Sequence, residues 1–356
     1  MPSKSFKDLK VSDLGEKRLI KRLLERSQKS QPTSLFLEKF LDENSVKSTK
    51  DDAALIDLGE NYLVATSDLL MQSAHFPDEM TPFQMGKKVV TVNVSDIAAM
   101  GADTICIIVS MGLPKDMSLS NFDEMIEGIL ESCKQYDMVL IGGDTNESAD
   151  LTLCGTCIGM VKKENVLMKG GARSSDVVAV TGKLGLAAAG FELLFCDESE
   201  ESKLEGLDHG FMSLALEHAL QPEARLKEGI LLGKTGVVTS ATDITDGLLS
   251  EIGEIIDASP ENIGITFYEE QVPIPHEVHE IGNILGKNPL EMALTYGEDF
   301  ELLLTVQKDK FDDLNHLKNV VDLHEIGFVD SSGIIKMIDK DGKTNVVTPK
   351  GYEHLK

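Results

Sequence analysis

The apolar positions along this 356-residue chain change their period several times. Near the amino terminus Leu14, Leu19, Ile20, Leu23 and Leu24 recur at helical spacing opposite Lys17, Lys21, Arg22 and Glu25. A second apolar cluster follows at Leu35, Phe36, Leu37, Phe40 and Leu41. Residues 1–49 therefore read as a helical extension with no chemistry of its own. From Asp51 the pattern turns to short apolar runs that end in acidic turns. Residues 61–66 predict a strand running into Ser67-Asp68. The stretch 82–100 is rich in β-branched residues, yet its length and its Thr81-Pro82 start predict a helix. Strands are expected over 105–110, 138–141 and 151–161, with a helix over 118–136.

The polar, glycine-containing segment 162–171 marks the expected boundary between an N-terminal domain, 1–161, and a C-terminal domain, 162–356. Two domains suit a chain of this length. Beyond the boundary, strands are expected over 177–181, 263–268 and 301–306. Helices are expected over 185–194, 222–232 and 248–258, and the acidic segment 196–208 reads as an exposed loop.

Charge narrows the partners. Against 34 Lys+Arg stand 60 Asp+Glu, a net charge of −26. A field of that sign repels nucleic-acid backbones and anionic membranes, so neither is an expected partner. The amino terminus lacks the apolar run of a secretory signal. The longest apolar stretch, 105–113, is about half the roughly 20 residues a membrane span needs. Five Cys make no disulfide framework, so a reducing, cytoplasmic setting is expected.

The informative feature is where certain aspartates fall. Asp51, Asp52, Asp68, Asp96, Asp144, Asp243 and Asp246 each sit in or beside an apolar stretch, at a strand end or glycine turn. Their neighbours are small: Thr66-Ser67-Asp68, Ser95-Asp96, Gly142-Gly143-Asp144 and Asp243-Ile244-Thr245-Asp246-Gly247. Ionised carboxylates beside a core are costly unless paired or metal-bound. A hard cation with oxygen ligands is the natural counter-charge, and Mg²⁺ suits it. Taken singly, each reads more readily as a turn or cap aspartate; it is the shared grammar that argues for one site.

Carboxylates, Mg²⁺ and glycine turns together suggest phosphoryl transfer, but the common phosphate loops fail. Gly233-Lys234-Thr235 would need glycine at 228, where Glu228 stands. Thr181-Gly182-Lys183-Leu184-Gly185 opens a helix after a strand without being a dinucleotide fingerprint. The protein-kinase words are missing. Cys154 and Cys157 have metal-knuckle spacing, but i and i+3 of a strand face opposite sides. His276 and His279 read as a polar helix face.

Four runs in order, VNVSDIAAMGAD (92–103), IGGDT (141–145), DITDGL (243–248) and YGEDFELL (296–303), resemble the thiamine-monophosphate kinase family. That family sits within the aminoimidazole ribonucleotide synthetase-like superfamily, and the resemblance runs from about Asp51 to Tyr352. It implies an α+β, two-domain fold: an N-terminal sheet that pairs across a homodimer, and a C-terminal α/β sandwich. It implies ATP as co-substrate, several Mg²⁺ ions, and transfer of the γ-phosphoryl of ATP to thiamine monophosphate. Carried over, Asp51 or Asp52, Thr66, Ser67, Asp68, Asp96, Asp144, Asp243 and Asp246 are metal ligands, with Asp68, Asp96, Asp144 and Asp243 catalytic. Gly143, Asp144, Lys169 and Thr245 match nucleotide contacts, and His75, Glu298 and Tyr352 match thiamine-phosphate contacts. Two departures stand out. Lys50 replaces the usual glycine before the paired aspartates, and Lys169 replaces an arginine, so a fork becomes a point charge.

Other branches fit less well. The selenophosphate-forming branch needs a reactive cysteine near the start, and none precedes Cys106. The hydrogenase-maturation branch needs a C-terminal cysteine, whereas His354-Leu355-Lys356 stands here. The purine-synthesis branch lacks support from His75 and Glu298. A non-catalytic nucleotide or Mg²⁺ binder would share the acidic turns and show no turnover.

Overall fold

The computed structural model describes Arg18, residues 46–47, 51–197 and 204–352. Apart from Arg18, the two expected amino-terminal helices lie outside the described residues.

The N-terminal half is built on a seven-stranded sheet. Its strands are β1 (Val46–Lys47), β2 (Ala54–Asp57), β3 (Asn61–Met71), β4 (Asp103–Leu113), β5 (Val139–Gly142), β6 (Thr145–Glu147) and β7 (Thr152–Lys162). The order is β1-β2-β3-β7-β4-β5, with β6 also on β4. Alternate residues of β7 are buried, as in a sheet with one covered face. The cover is a helix over Pro82–Ala99, backed by a second over Leu119–Gln135. Thr81 and Gln84 cap the first reciprocally, and Pro82 occupies its first turn. Caps and burial thus outweigh the β-branched content, and the expected helix forms. The strand expected to end at Thr66 instead runs to Met71, because β7 pairs with it along its full length.

A second seven-stranded sheet carries the C-terminal half, in the order β14-β13-β10-β12-β8-β11-β9. These strands are β8 (Val177–Thr181), β9 (Val238–Asp243), β10 (Gly264–Tyr268), β11 (Leu302–Val306), β12 (Leu323–Asp330), β13 (Ile335–Ile338) and β14 (Thr344–Val347). β8 and β11 are buried at every position, so both faces are covered. On one side Val180 and Leu303 meet Leu248, Leu249 and Ile252 of the Leu248–Ala258 helix. On the other, Leu302 and Leu304 meet Leu232 and Ala99, the last residue of the 82–99 helix. That contact brings the carboxyl end of an N-terminal helix against the C-terminal sheet. The mixed sheets with covering helices are the expected α+β architecture.

The helix expected over 222–232 begins later, at Leu226, with Arg225 as its N-cap residue. Pro222 lies in the preceding irregular segment. Cys154 is half-buried and Cys157 buried, and both are free thiols. Among the described residues no helix is long and apolar enough to cross a membrane.

Candidate active site

Three short words separated by fifty residues or so meet through backbone hydrogen bonds. Glu298 N–H donates to Thr245 O (2.8 Å), Phe300 N–H to Ile244 O (3.0 Å) and Tyr352 N–H to Asp246 O (3.1 Å). The 243–247 turn is thus clamped by the 296–303 word and by the Gly351-Tyr352 end. Gly297 is required there, since a Cβ would stand 1.8 Å from Thr245 O. Glu298 next to it takes a left-handed φ of 67°.

The 82–99 helix presents Ser95 and Asp96 to this turn. Ser95 Oγ donates to Asp243 Oδ2, and Thr66 Oγ1 of β3 donates to Asp96 Oδ2. One carboxylate oxygen from each of Asp52, Asp96 and Asp243 lies within 4.8 Å of the other two. Asp68 lies close enough to Asp96 for its charge to act on it. Strand alternation explains the selection: Thr66 and Asp68 lie on the helix-covered face of β3.

The carboxylates repel one another in a poorly solvated place. Burial pushes the Asp68 carboxyl up to about 6 and that of Asp243 up to about 7, with the Asp52 charge adding to the second. Asp96 is raised well above its ordinary value by burial and then by Asp68, Asp243 and Asp52. Asp52 is raised by burial, against the pull of Lys169. Its Oδ1 accepts from Lys169 Nζ (2.6 Å) and Thr242 Oγ1 (3.0 Å). Its Oδ2 is buried with no hydrogen-bond partner. Three carboxylates drawn together, one of them with a buried, unpartnered oxygen, form an oxygen-only donor set that fits a hard divalent cation.

Asp51 is turned elsewhere, both of its oxygens accepting from Lys169 N–H (3.1 and 3.2 Å). Burial, then the neighbouring Asp52, brings its carboxyl up to about 6. Of the adjacent pair it is Asp52 that faces the cluster. Lys169 Nζ also reaches Glu254 Oε2 at 2.6 Å. Burial would lower the Lys169 ammonium, but Asp52 and Glu254 outweigh it and raise it.

Two expected ligands stand apart. The Ser67 side chain is exposed on the opposite face of β3, bonded to Gly155 O (2.8 Å) and Thr156 Oγ1 (2.9 Å). Period-two alternation sends it away from Thr66 and Asp68. Asp144 is exposed beside Gly143, past the end of β5. The register runs Asp68↔Gly155↔Val109, with β5 on the next strand position. Asp144 is therefore about three strand spacings from Asp68 in the same chain, roughly 14 Å.

A cavity of about 1620 Å³ opens beside the carboxylates. Asp68, Asp96, Thr245 and Asp246 form one end of its wall, and His75, Glu298 and Tyr352 also line it. His75 Nδ1 accepts from Met71 N–H at 3.1 Å. Both Glu298 oxygens accept from Lys88 Nζ, at 2.8 and 2.7 Å. Sequence reasoning passed over Lys88, Ser95, Thr242 and Glu254. The signal for Lys88 was its place on the apolar stripe with Met85, Val89 and Val92.

Family models for AIR synthase related protein match twice, the N-terminal domain over residues 50–161 and the C-terminal domain over 173–340. The thiamine-monophosphate kinase of Pyrococcus abyssi is 36% identical over 322 residues, 90% of this chain and 94% of the relative. That of Bacillus subtilis is 34% identical over 86% of this chain and 92% of its own length. Among solved structures, AaThiL complexed with AMPPCP and TMP superposes with a TM-score of 0.81 at 28% identity, covering 98% of this chain and all of the other. The hydrogenase maturation protein HypE in complex with ATP shares the fold, with a TM-score of 0.65 at 17% identity. The chain belongs to the AIR synthase related family and, within it, to the thiamine-monophosphate kinases.

Proposed function

We propose that the chain transfers the γ-phosphoryl group of ATP to thiamine monophosphate, giving thiamine diphosphate and ADP. The observation that carries this reading is that Asp96 belongs both to the carboxylate cluster and to the wall of the large cavity. A metal-binding end and a substrate-sized space share one boundary.

The acceptor phosphate is largely a dianion at neutral pH, since its second pKa is about 6. Its oxygen is already nucleophilic, so the site needs no general base. That suits a wall with several carboxylates and His75 alone among the proposed contacts. The difficulty is repulsion between two polyanions, and bound Mg²⁺ would supply the charge that offsets it. Asp52, Asp96 and Asp243 would hold the metal, with Asp68 and Asp246 beside them and Thr66 orienting Asp96. Asp51 and Lys169 set the position of Asp52 from behind. Thr245 would meet the nucleotide near the cluster. Gly143 and Asp144 would meet the nucleotide away from this cluster, past the end of β5. His75, Glu298 and Tyr352 would hold the thiamine phosphate at the cavity wall.

Transfer is direct and in line, without a phosphorylated enzyme; isolation of a phospho-enzyme competent to form product would refute this. The reading includes a homodimer. Leu69 and Ile141 are exposed on the uncovered face of the N-terminal sheet, at 54% and 56%, where a second sheet would cover them. It also includes a cytoplasmic setting. The decisive experiment is a coupled assay of ADP release with MgATP, with and without thiamine monophosphate. ADP is expected only with the acceptor present. Release without it, or none in either case, rejects the reading.

A further inference from the structure

We infer that Lys88 is a positioning residue for the thiamine-phosphate end of the site, acting through Glu298 and the backbone of His75. The inference rests on the proposed kinase activity and goes beyond it, because Lys88 touches neither substrate nor metal.

Lys88 is 1% exposed, inside the 82–99 helix. Its ammonium reaches three acceptors: Glu298 Oε1 (2.8 Å), Glu298 Oε2 (2.7 Å) and His75 O (2.9 Å). It also stands 5.8 Å from the centre of the Phe191 ring. Glu298, His75 and Phe191 all line the cavity, and Lys88 does not. One hidden cation thus sits behind three separate segments of the cavity wall.

Stability alone is a poor reason for this arrangement. A buried ion pair usually adds little over apolar side chains of similar size. What the pair fixes is direction. An ammonium shared by both oxygens sets the carboxylate plane of Glu298, whose backbone already adopts a left-handed conformation. The remaining lone pairs then point where a cationic, N–H-bearing substrate needs acceptors. The same helix carries Asp96 eight residues later, about 12 Å along a rigid rod. Lys88 and Asp96 therefore tie the acceptor end and the metal end of the cavity to one element.

The test is steady-state kinetics of the full chain with MgATP and thiamine monophosphate. Lys88→Met is expected to raise the thiamine-monophosphate KM by about 10-fold or more, while the ATP KM stays within about twofold. Glu298→Gln is expected to do the same, and the double variant no more than the larger single, since the two act as one unit. Lys88→Arg, which keeps the charge, is expected to fall between wild type and Lys88→Met. If Lys88→Met does not fold, Lys88→Arg and Glu298→Gln carry the test by the same KM split. Equal rises in both KM values, or additive effects, overturn the positioning role while wild-type turnover stands. Absence of wild-type turnover overturns both readings together.

Discussion

Lys169 holds Asp52 by one oxygen only: its Nζ lies 2.6 Å from Oδ1, while Oδ2 is buried and unpartnered. The ammonium thus engages one side of the carboxylate, and one Asp52 oxygen lies within 4.8 Å of oxygens of Asp96 and Asp243. The lysine in the place of the expected arginine therefore holds one side of this carboxylate. Replacing Asp52 with Asn should lower kcat by roughly 10²–10³, the scale for losing one preorganised electrostatic contact. The rise in thermal midpoint expected of the wild type with MgCl₂ should vanish as well. Retention of that rise would show that the metal is held without Asp52.

Lys169 itself lies between Asp52 and Glu254, at 2.6 Å from each. Lys169→Met would leave both carboxylates without their cation in a largely buried place. The expected loss is about 3 kcal/mol, as for breaking one side of a buried pair. Urea unfolding of the metal-free chain measures it. Lys169→Arg should lose much less, because the charge remains.

Acidity should act on the metal-free chain in an unusual direction. The carboxyls of Asp68 and Asp243 stand near 6 and 7, raised first by burial, against about 3.9 in an unfolded chain. The folded form keeps protons that the unfolded form releases, so this stabilising contribution is complete below pH 4. It is lost as pH rises through 6 to 7. Thermal midpoints with chelator should therefore fall between pH 5 and pH 8 from this source. Added MgCl₂ should offset the fall most at pH 8, where ligands and protons compete least. Equal Mg²⁺ stabilisation at both pH values would count against these carboxylates as ligands.

Much of this site was legible because its chemistry leaves a trace in sequence. Asp96 and Asp243 are carboxylates inside apolar words, and the structure brings them together with Asp52. Alternation in the extended β3 would also have separated Ser67 from Thr66 and Asp68, had the strand been read past residue 66. The choice between Asp51 and Asp52 was not legible, since it depends on which one meets the backbone of Lys169, 118 positions away. The role of Lys88 was hidden for the same reason: its place on the apolar stripe marks it as buried, but its partner lies 210 positions on. Pro222 misled in a local way, as a proline starts a helix only where the following residues are packed to continue it.

Asp144 and Asp96 give the sharpest contrast among the expected ligands. Asp96 lies within the carboxylate group, whereas Asp144 is exposed about three strands away, roughly 14 Å. Gly143 beside it permits close contact with β4, since a Cβ there would meet Val109 O at 1.9 Å. An aspartate held at that distance can serve the far part of a nucleotide and contribute little to the reacting phosphoryl group. Asp96→Asn should therefore depress kcat by roughly 10²–10³. Asp144→Asn should chiefly raise the ATP KM, by about 10-fold, and leave the thiamine-monophosphate KM within about twofold. If Asp144→Asn matched Asp96→Asn in kcat, both aspartates would have to meet at the reacting group. The nucleotide would then draw them together, or the neighbouring subunit of the proposed dimer would supply one of them.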